Sequence, residues 1–129
     1  MNLTRSITGA FAAMFWFASA GAFADEVSFT QAGFDNAISS GRPAVVYLHA
    51  TWCPTCKVQK PIVDRLSTDP VLKQVTIFIA DYDTEKQLRK NLMVTQQSTF
   101  VVFRKGHEVT RSTGQTAEPE IRSVIEKAL

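Results

Sequence analysis

The chain has 129 residues, 45% of them hydrophobic and 20% charged, with two cysteines and fourteen Lys and Arg against twelve Asp and Glu. That length suits one domain, and the composition excludes a disordered tail, a collagen-like repeat and a disulfide-dense miniprotein. The basic residues are scattered, with no basic run and no basic–aromatic interleaving, so nucleic acid is not an expected partner.

In chain order, the first segment reads as a leader. Arg5 is the only charged side chain before Asp25, Ile7 to Phe17 is nearly all apolar or small, and Ala22-Phe23-Ala24 supplies a small-x-small ending. A positive start, a short apolar middle and such an ending describe a secretory signal peptide over residues 1–24, with Ala18-Ser19-Ala20 as a second cleavage site. The alternative is an uncleaved N-terminal membrane anchor, against which Ser19 and Gly21 count. Residues 25–129 are then the exported domain, expected in a compartment such as the bacterial periplasm. Two cysteines there are free to pair.

Phe29 to Ser40 has a loose helical spacing of Phe29, Ala32, Phe34, Ala37 and Ile38, closed by Gly41-Arg42-Pro43. Ala44 to Leu48 is an apolar run of strand length, as for a strand covered on both faces. Pro54 to Ser67 turns helical, with Val58, Ile62, Val63 and Leu66 at threes and fours. Val75 to Ala80 reads as a second strand and Thr84 to Leu92 as a short helix. Phe100 to Arg104 and Glu108 to Ser112 flank Lys105-Gly106, a hairpin signal. Thr116 to Leu129 opens as a helix, with Thr116, Glu118, Pro119 and Glu120 suited to an N-terminus. Strands separated by helices pair in parallel, and the last two form an antiparallel edge. The class is α/β.

The chemistry concentrates at Trp52-Cys53-Pro54-Thr55-Cys56, where the first buried strand gives way to a helix. With Cys53 as the N-cap, Pro54 takes the first helical position, where its missing N–H removes nothing the helix needs. The N–H groups of Thr55 and Cys56 then face the Cys53 sulfur, and the positive helix end favours thiolate over thiol. Lys57 adds a positive charge nearby. Cys56 lies one turn on, within bridging distance. A disulfide across so small a loop gives little chain-entropy stabilisation, which favours exchange chemistry over scaffolding. Two other readings stand beside it. A structural disulfide is one. The other is half a zinc site, for which the chain offers no second Cys pair and only His49 and His107.

The residues 29–129 resemble the thioredoxin family. The apolar strand runs into Ala50-Thr51-Trp52-Cys53, Lys57 follows the second cysteine, and Pro61 stands five residues after it. Phe100 to Phe103 with Lys105-Gly106, and then Gly114, fall in the family's C-terminal register. The resemblance implies a central mixed sheet of about four strands flanked by helices on both faces. It also implies an exposed Cys53 as nucleophile, a shielded Cys56 as resolver and Trp52 packed beside them. Electrons are expected from a membrane-embedded carrier. No prosthetic group or metal is called for, since the Cys53–Cys56 pair itself carries the electrons.

Two departures stand out. Where the family has a cis-proline facing the cysteines, this chain has Ser98, followed by Thr99. Ser98 brings an N–H and a hydroxyl that proline lacks, and is expected to hydrogen-bond near the sulfurs. Where many members bury an acid six residues before the first cysteine, this chain has Tyr47. Loss of the Cys56 proton then falls to water, a lysine or His49, which shares a face with Tyr47 on an extended strand. The expected protein is an exported, monomeric thiol–disulfide oxidoreductase acting on exported proteins that carry disulfides or dithiols. Reduction is the favoured direction, because Pro54-Thr55 has no cation or histidine to stabilise the thiolate further. A dithiol oxidase, or a non-catalytic metal- or partner-binding module, is the alternative.

Overall fold

The computed structural model describes residues 24–129. Apart from Ala24, the leader expected over residues 1–24 lies outside the described residues. In chain order the elements are β1 (Asp25–Ser28), α1 (Gln31–Ser39), β2 (Ala44–His49), α2 (Pro54–Ser67), a 3₁₀ turn at Pro70–Leu72, β3 (Thr76–Asp81), α3 (Lys86–Leu92), β4 (Thr99–Arg104), β5 (His107–Thr113) and α4 (Glu118–Glu126). The strands form one five-stranded sheet in the order β1-β3-β2-β4-β5. β1 and β2 run parallel to β3, while β4 is antiparallel to both β2 and β5. No helix among the described residues is long and apolar enough to cross a membrane.

β2 is central because Ala44 to Leu48 can be covered on both sides, and all five residues are buried. Alternation along the strand splits them. Val45 and Tyr47 join Ile62, Val63 and Leu66 of α2, Phe100 and Val102 of β4, and Ile121 and Ile125 of α4. Val46 and Leu48 join Phe34 and Ala37 of α1, Phe78 and Ala80 of β3, and Leu88 of α3. Helices therefore cover both faces, and the end of β2 delivers the chain to the start of α2.

The fifth strand, β1, was not expected from the sequence. Asp-Glu-Val-Ser is mostly exposed and carries no apolar alternation; it is a strand because Asp25 to Ser28 pairs with Thr76 to Ile79. Phe29 continues that ladder through its N–H to the Ile79 carbonyl at 2.8 Å, so α1 begins at Gln31 rather than Phe29. Thr30 caps it, its hydroxyl accepting the Gly33 N–H at 3.1 Å. α3 starts at Lys86 rather than Thr84 because the Asp81 carboxylate takes the N–H groups of Asp83 and Thr84 at 2.8 and 3.2 Å, holding them in a turn. α4 starts at Glu118, with Ala117 instead of Thr116 at the cap and no side-chain cap bond. Lys105 (φ 51°) and Gly106 (φ 80°) make the expected left-handed hairpin turn.

Candidate functional site at the start of α2

Cys53 is the N-cap of α2, in extended conformation, with Pro54 in the first turn. Its Sγ accepts the Cys56 N–H at 3.3 Å, and its carbonyl accepts the Lys57 N–H at 3.1 Å. The sulfur thus fills the role of a capping oxygen at the positive end of a 14-residue helix. The Thr55 N–H, expected to share that role, makes no bond to the sulfur among the described residues. Both cysteines are free thiols here.

Ser98 completes the arrangement. Its hydroxyl lies 3.2 Å from Cys53 Sγ and 3.0 Å from Cys56 Sγ. The Gln97–Ser98 peptide is trans, as are all those described, and Ser98 sits at φ 62°, a left-handed conformation unusual for a residue with a β-carbon. One hydroxyl has one proton, so with Cys53 ionised it donates to that sulfur and accepts from the Cys56 thiol. The three groups then form a satisfied chain from Cys56 through Ser98 to Cys53.

The two sulfurs are electrostatically unequal. Burial pushes the Cys53 thiol up, but the Cys56 thiol, the Ser98 hydroxyl and the Cys56 N–H act against it and bring it down to about 7. Cys56 goes the other way: burial raises it, and the neighbouring Cys53 adds to the rise. Burial likewise pushes the Tyr47 phenol far above its ordinary range, so it stays neutral. Tyr47 stacks on Phe100 with ring centres 4.5 Å apart, and its hydroxyl makes a long 3.5 Å bond to the Cys56 carbonyl.

The structure corrects one expectation directly. Cys53 is not exposed: the residue is 2% accessible, about as covered as Cys56 at 1%. Capping turns its sulfur inward over the helix end, and the Ser98 loop closes on it. Approach runs through an open cleft of about 430 Å³ lined by Cys53, Pro54, Thr55, Gln96, Gln97, Ser98, Thr113 and Gly114. Trp52, next to Cys53 in the chain, is 56% exposed and does not line this cleft; its indole N–H is held by Asp83 at 2.7 Å. Thr99 is buried, and its hydroxyl bonds Thr113 and the Gln96 carbonyl, each at 2.8 Å; it ties the loop and does not reach the sulfurs.

His49 stacks on Tyr47 with ring centres 5.4 Å apart, so the two share a face of β2. Burial and then Lys60 lower its imidazole, against Asp81, leaving it neutral at pH 7. A second, smaller cleft of about 180 Å³ is lined by His49, Ala50, Thr51, Cys56, Lys57 and Lys60, and is the way to Cys56 from behind. Lys57 is exposed and its ammonium makes no hydrogen bond or ion pair among the described residues, whereas Lys60 pairs with Glu26 and Asp64. His107 is exposed at the start of β5, away from the site. No cluster of three or more His, Cys, Asp or Glu able to hold a metal occurs among the described residues.

Sequence reasoning missed Gln59. It placed Val58 on the buried stripe of α2, but Val58 is 49% exposed and Gln59 is fully buried. The signal was present: Cys56, Gln59, Val63 and Leu66 recur at threes and fours, and all four are buried.

Comparison with known proteins agrees with this geometry. A model of the thioredoxin family matches residues 25–127. The thioredoxin of Mycobacterium tuberculosis is 30% identical over 89 residues, covering 68% of this chain and 76% of its own. That of Chlamydia trachomatis is 30% identical over 98 residues, covering 76% and 93%. Among solved structures, Trxlp from Edwardsiella tarda superposes with a TM-score of 0.75 at 33% identity, covering 79% of this chain and 98% of that one. The Malassezia sympodialis thioredoxin, at 22% identity and a TM-score of 0.72, shares the fold.

Proposed function

Because the chain belongs to the thioredoxin family and is a protein thiol–disulfide oxidoreductase, we propose that it works after export, reducing disulfides in exported proteins with Cys53 as nucleophile. The observation that carries the assignment of roles is the N-cap geometry. Cys53 Sγ is the sulfur that receives the Cys56 N–H at 3.3 Å and a serine hydroxyl at 3.2 Å, and it alone is brought to about 7. That lowering raises its share of thiolate, the form that attacks, above that of an ordinary thiol at neutral pH.

In the cycle, the Cys53 thiolate attacks one sulfur of the partner's disulfide. The partner's S–S bond breaks, a mixed disulfide forms, and the leaving thiolate takes a proton. Cys56 then loses its proton and attacks Cys53, releasing the second partner thiol and leaving the Cys53–Cys56 disulfide. The partner gains two electrons and two protons, and the dithiol loses them. Trp52, Pro54 and Thr55 shape the approach, and the Ser98 hydroxyl, freed from Cys53 once the mixed disulfide forms, turns its proton toward Cys56. With Tyr47 neutral, the base on the Cys56 side is His49, acting through water in the smaller cleft, beside Lys57 and Lys60. A membrane-embedded carrier returns the disulfide to the dithiol.

The leader pattern of residues 1–24 supports export to a compartment such as the periplasm. The direction rests on the sulfur's donors: each group bonded to Cys53 is neutral, and Pro54-Thr55 supplies no cation to stabilise the reduced form as a strong oxidant requires. The test combines turnover of insulin disulfides with equilibration in glutathione buffers. A reductase is expected to turn over insulin with a potential nearer about −270 mV than about −120 mV. A potential at the oxidising end overturns the direction. Metal binding without turnover overturns the proposal.

A further inference from the structure

Gln59 is the one fully buried polar side chain of α2, three residues after Cys56 and on the same stripe. Its Nε2 donates to the Ser98 carbonyl at 3.3 Å and the Gln115 carbonyl at 2.8 Å. Both partners are carbonyl oxygens, which only the NH₂ end of the amide can serve, so its orientation is fixed. The consequence is that Oε1 is buried without a partner among the described residues. A buried acceptor left unpaired is destabilising, and an apolar side chain of the same size would avoid it. Core packing therefore does not account for an amide at this position.

What the amide does is join three segments: the helix that carries both cysteines, the loop that carries Ser98, and the chain just after β5. The Ser98 carbonyl also accepts the Gly114 N–H at 3.0 Å. It is thus held by two donors while its φ of 62° keeps the residue in a left-handed conformation that its β-carbon disfavours. No proline ring restrains this loop. With its carbonyl end held in this way, the same residue places its hydroxyl 3.2 and 3.0 Å from the two sulfurs.

We infer that Gln59 is a positioning residue for the thiol–disulfide exchange, clamping the Ser98 loop to α2 so that one serine hydroxyl spans both sulfurs. The inference rests on the proposed roles of Cys53 and Cys56. Gln59 touches neither the partner nor the sulfurs and acts through Ser98.

The test is a cycle of Gln59→Met, which keeps the bulk and removes the donors, with Ser98→Ala. Its readout is the pH midpoint of Cys53 alkylation by iodoacetamide. Gln59→Met alone is expected to raise the midpoint, leaving roughly threefold to tenfold less thiolate at pH 7, as for one weakened hydrogen bond. With Ala at 98, Gln59→Met is expected to move it no further. An unchanged midpoint in folded Gln59→Met, or an equal shift in both backgrounds, overturns the clamp. A purely packing role predicts the first of these results, with a change in unfolding midpoint only. Should Gln59→Met not fold, the native protein decides by NMR. The Gln59 side-chain amide protons are expected to exchange slowly and to shift when the cysteines are oxidised; fast exchange with no shift overturns the clamp. Insulin turnover by the native protein separates the two conclusions. Its absence defeats the proposed function, whereas turnover with additive shifts defeats only the role of Gln59.

Discussion

The two sulfurs differ in their surroundings more than in their burial. On the cleft side, Cys53 caps a helix and meets the Cys56 N–H and the Ser98 hydroxyl, and is drawn down to about 7. On the sheet side, Cys56 faces Tyr47 and the small cleft of His49 and is pushed up. Exposure does not separate them, since both are nearly fully covered. What separates them is the balance at each sulfur: donors outweigh burial at Cys53, whereas burial and the neighbouring Cys53 outweigh the donors at Cys56. The lesson is that donors can draw one of two covered sulfurs down against burial while burial carries the other up, within one turn of helix.

The largest expected effect comes from removing either sulfur. Cys53→Ser should lower insulin turnover by roughly a thousandfold or more, while Cys56→Ser should still attack once and accumulate a mixed disulfide visible by mass spectrometry. Trapping through Cys56 in place of Cys53 would reverse the comparison.

Next in size is Ser98→Ala. Loss of the shared hydroxyl should raise the Cys53 midpoint and cut thiolate at pH 7 by roughly tenfold, since bonds to charged groups are the stronger ones. Measured alkylation rates that match the native protein would mean the cap alone sets the ionisation.

The pH dependence sharpens the contrast further. Alkylation of the reduced protein should rise with a midpoint at about 7 for Cys53, and a second step for Cys56 should lie above the ordinary thiol value of about 8.5. Stability follows with opposite signs. The folded value of Cys53 lies below its unfolded one, so its contribution is complete above the unfolded value and is lost as pH falls through about 7. The folded value of Cys56 is raised, so its contribution is complete below the unfolded value and is lost as pH climbs through the folded one. Urea midpoints of the reduced protein against Cys53→Ser, between pH 6 and 8.5, are the measurement.

The smallest effect belongs to Tyr47→Phe. Its hydroxyl bond is long at 3.5 Å, and the stack on Phe100 remains, so stability should change by less than about 1 kcal/mol, read by denaturant midpoint. A larger loss would mean that the phenol supports Cys56.

Much of the fold was legible in the sequence wherever burial imposes a pattern. Ala44 to Leu48 announced a strand covered on both faces, and Pro54 with Cys53 announced a capped helix, because periodicity and cap chemistry are local. β1 was not legible: Asp25 to Ser28 carries no apolar alternation and is a strand only because β3 offers it an edge. Val58 and Gln59 were exchanged on the helix stripe, since hydrophobicity was read where packing angle decides. The expected exposure of Cys53 failed for a related reason, because the loop that covers it lies 45 residues away in sequence.

The sequence by itself determined the class of fold, the pair of sulfurs and which of them begins a helix, all matters settled by residues within a few positions of one another. The family resemblance already set Ser98 near the sulfurs; tertiary structure alone decided that its one hydroxyl spans both, that Gln59 reaches its carbonyl, and that Cys53 is covered. Those contacts join segments far apart in the chain, and their geometry is set by strand pairing and core packing, for which no local pattern carries a signal.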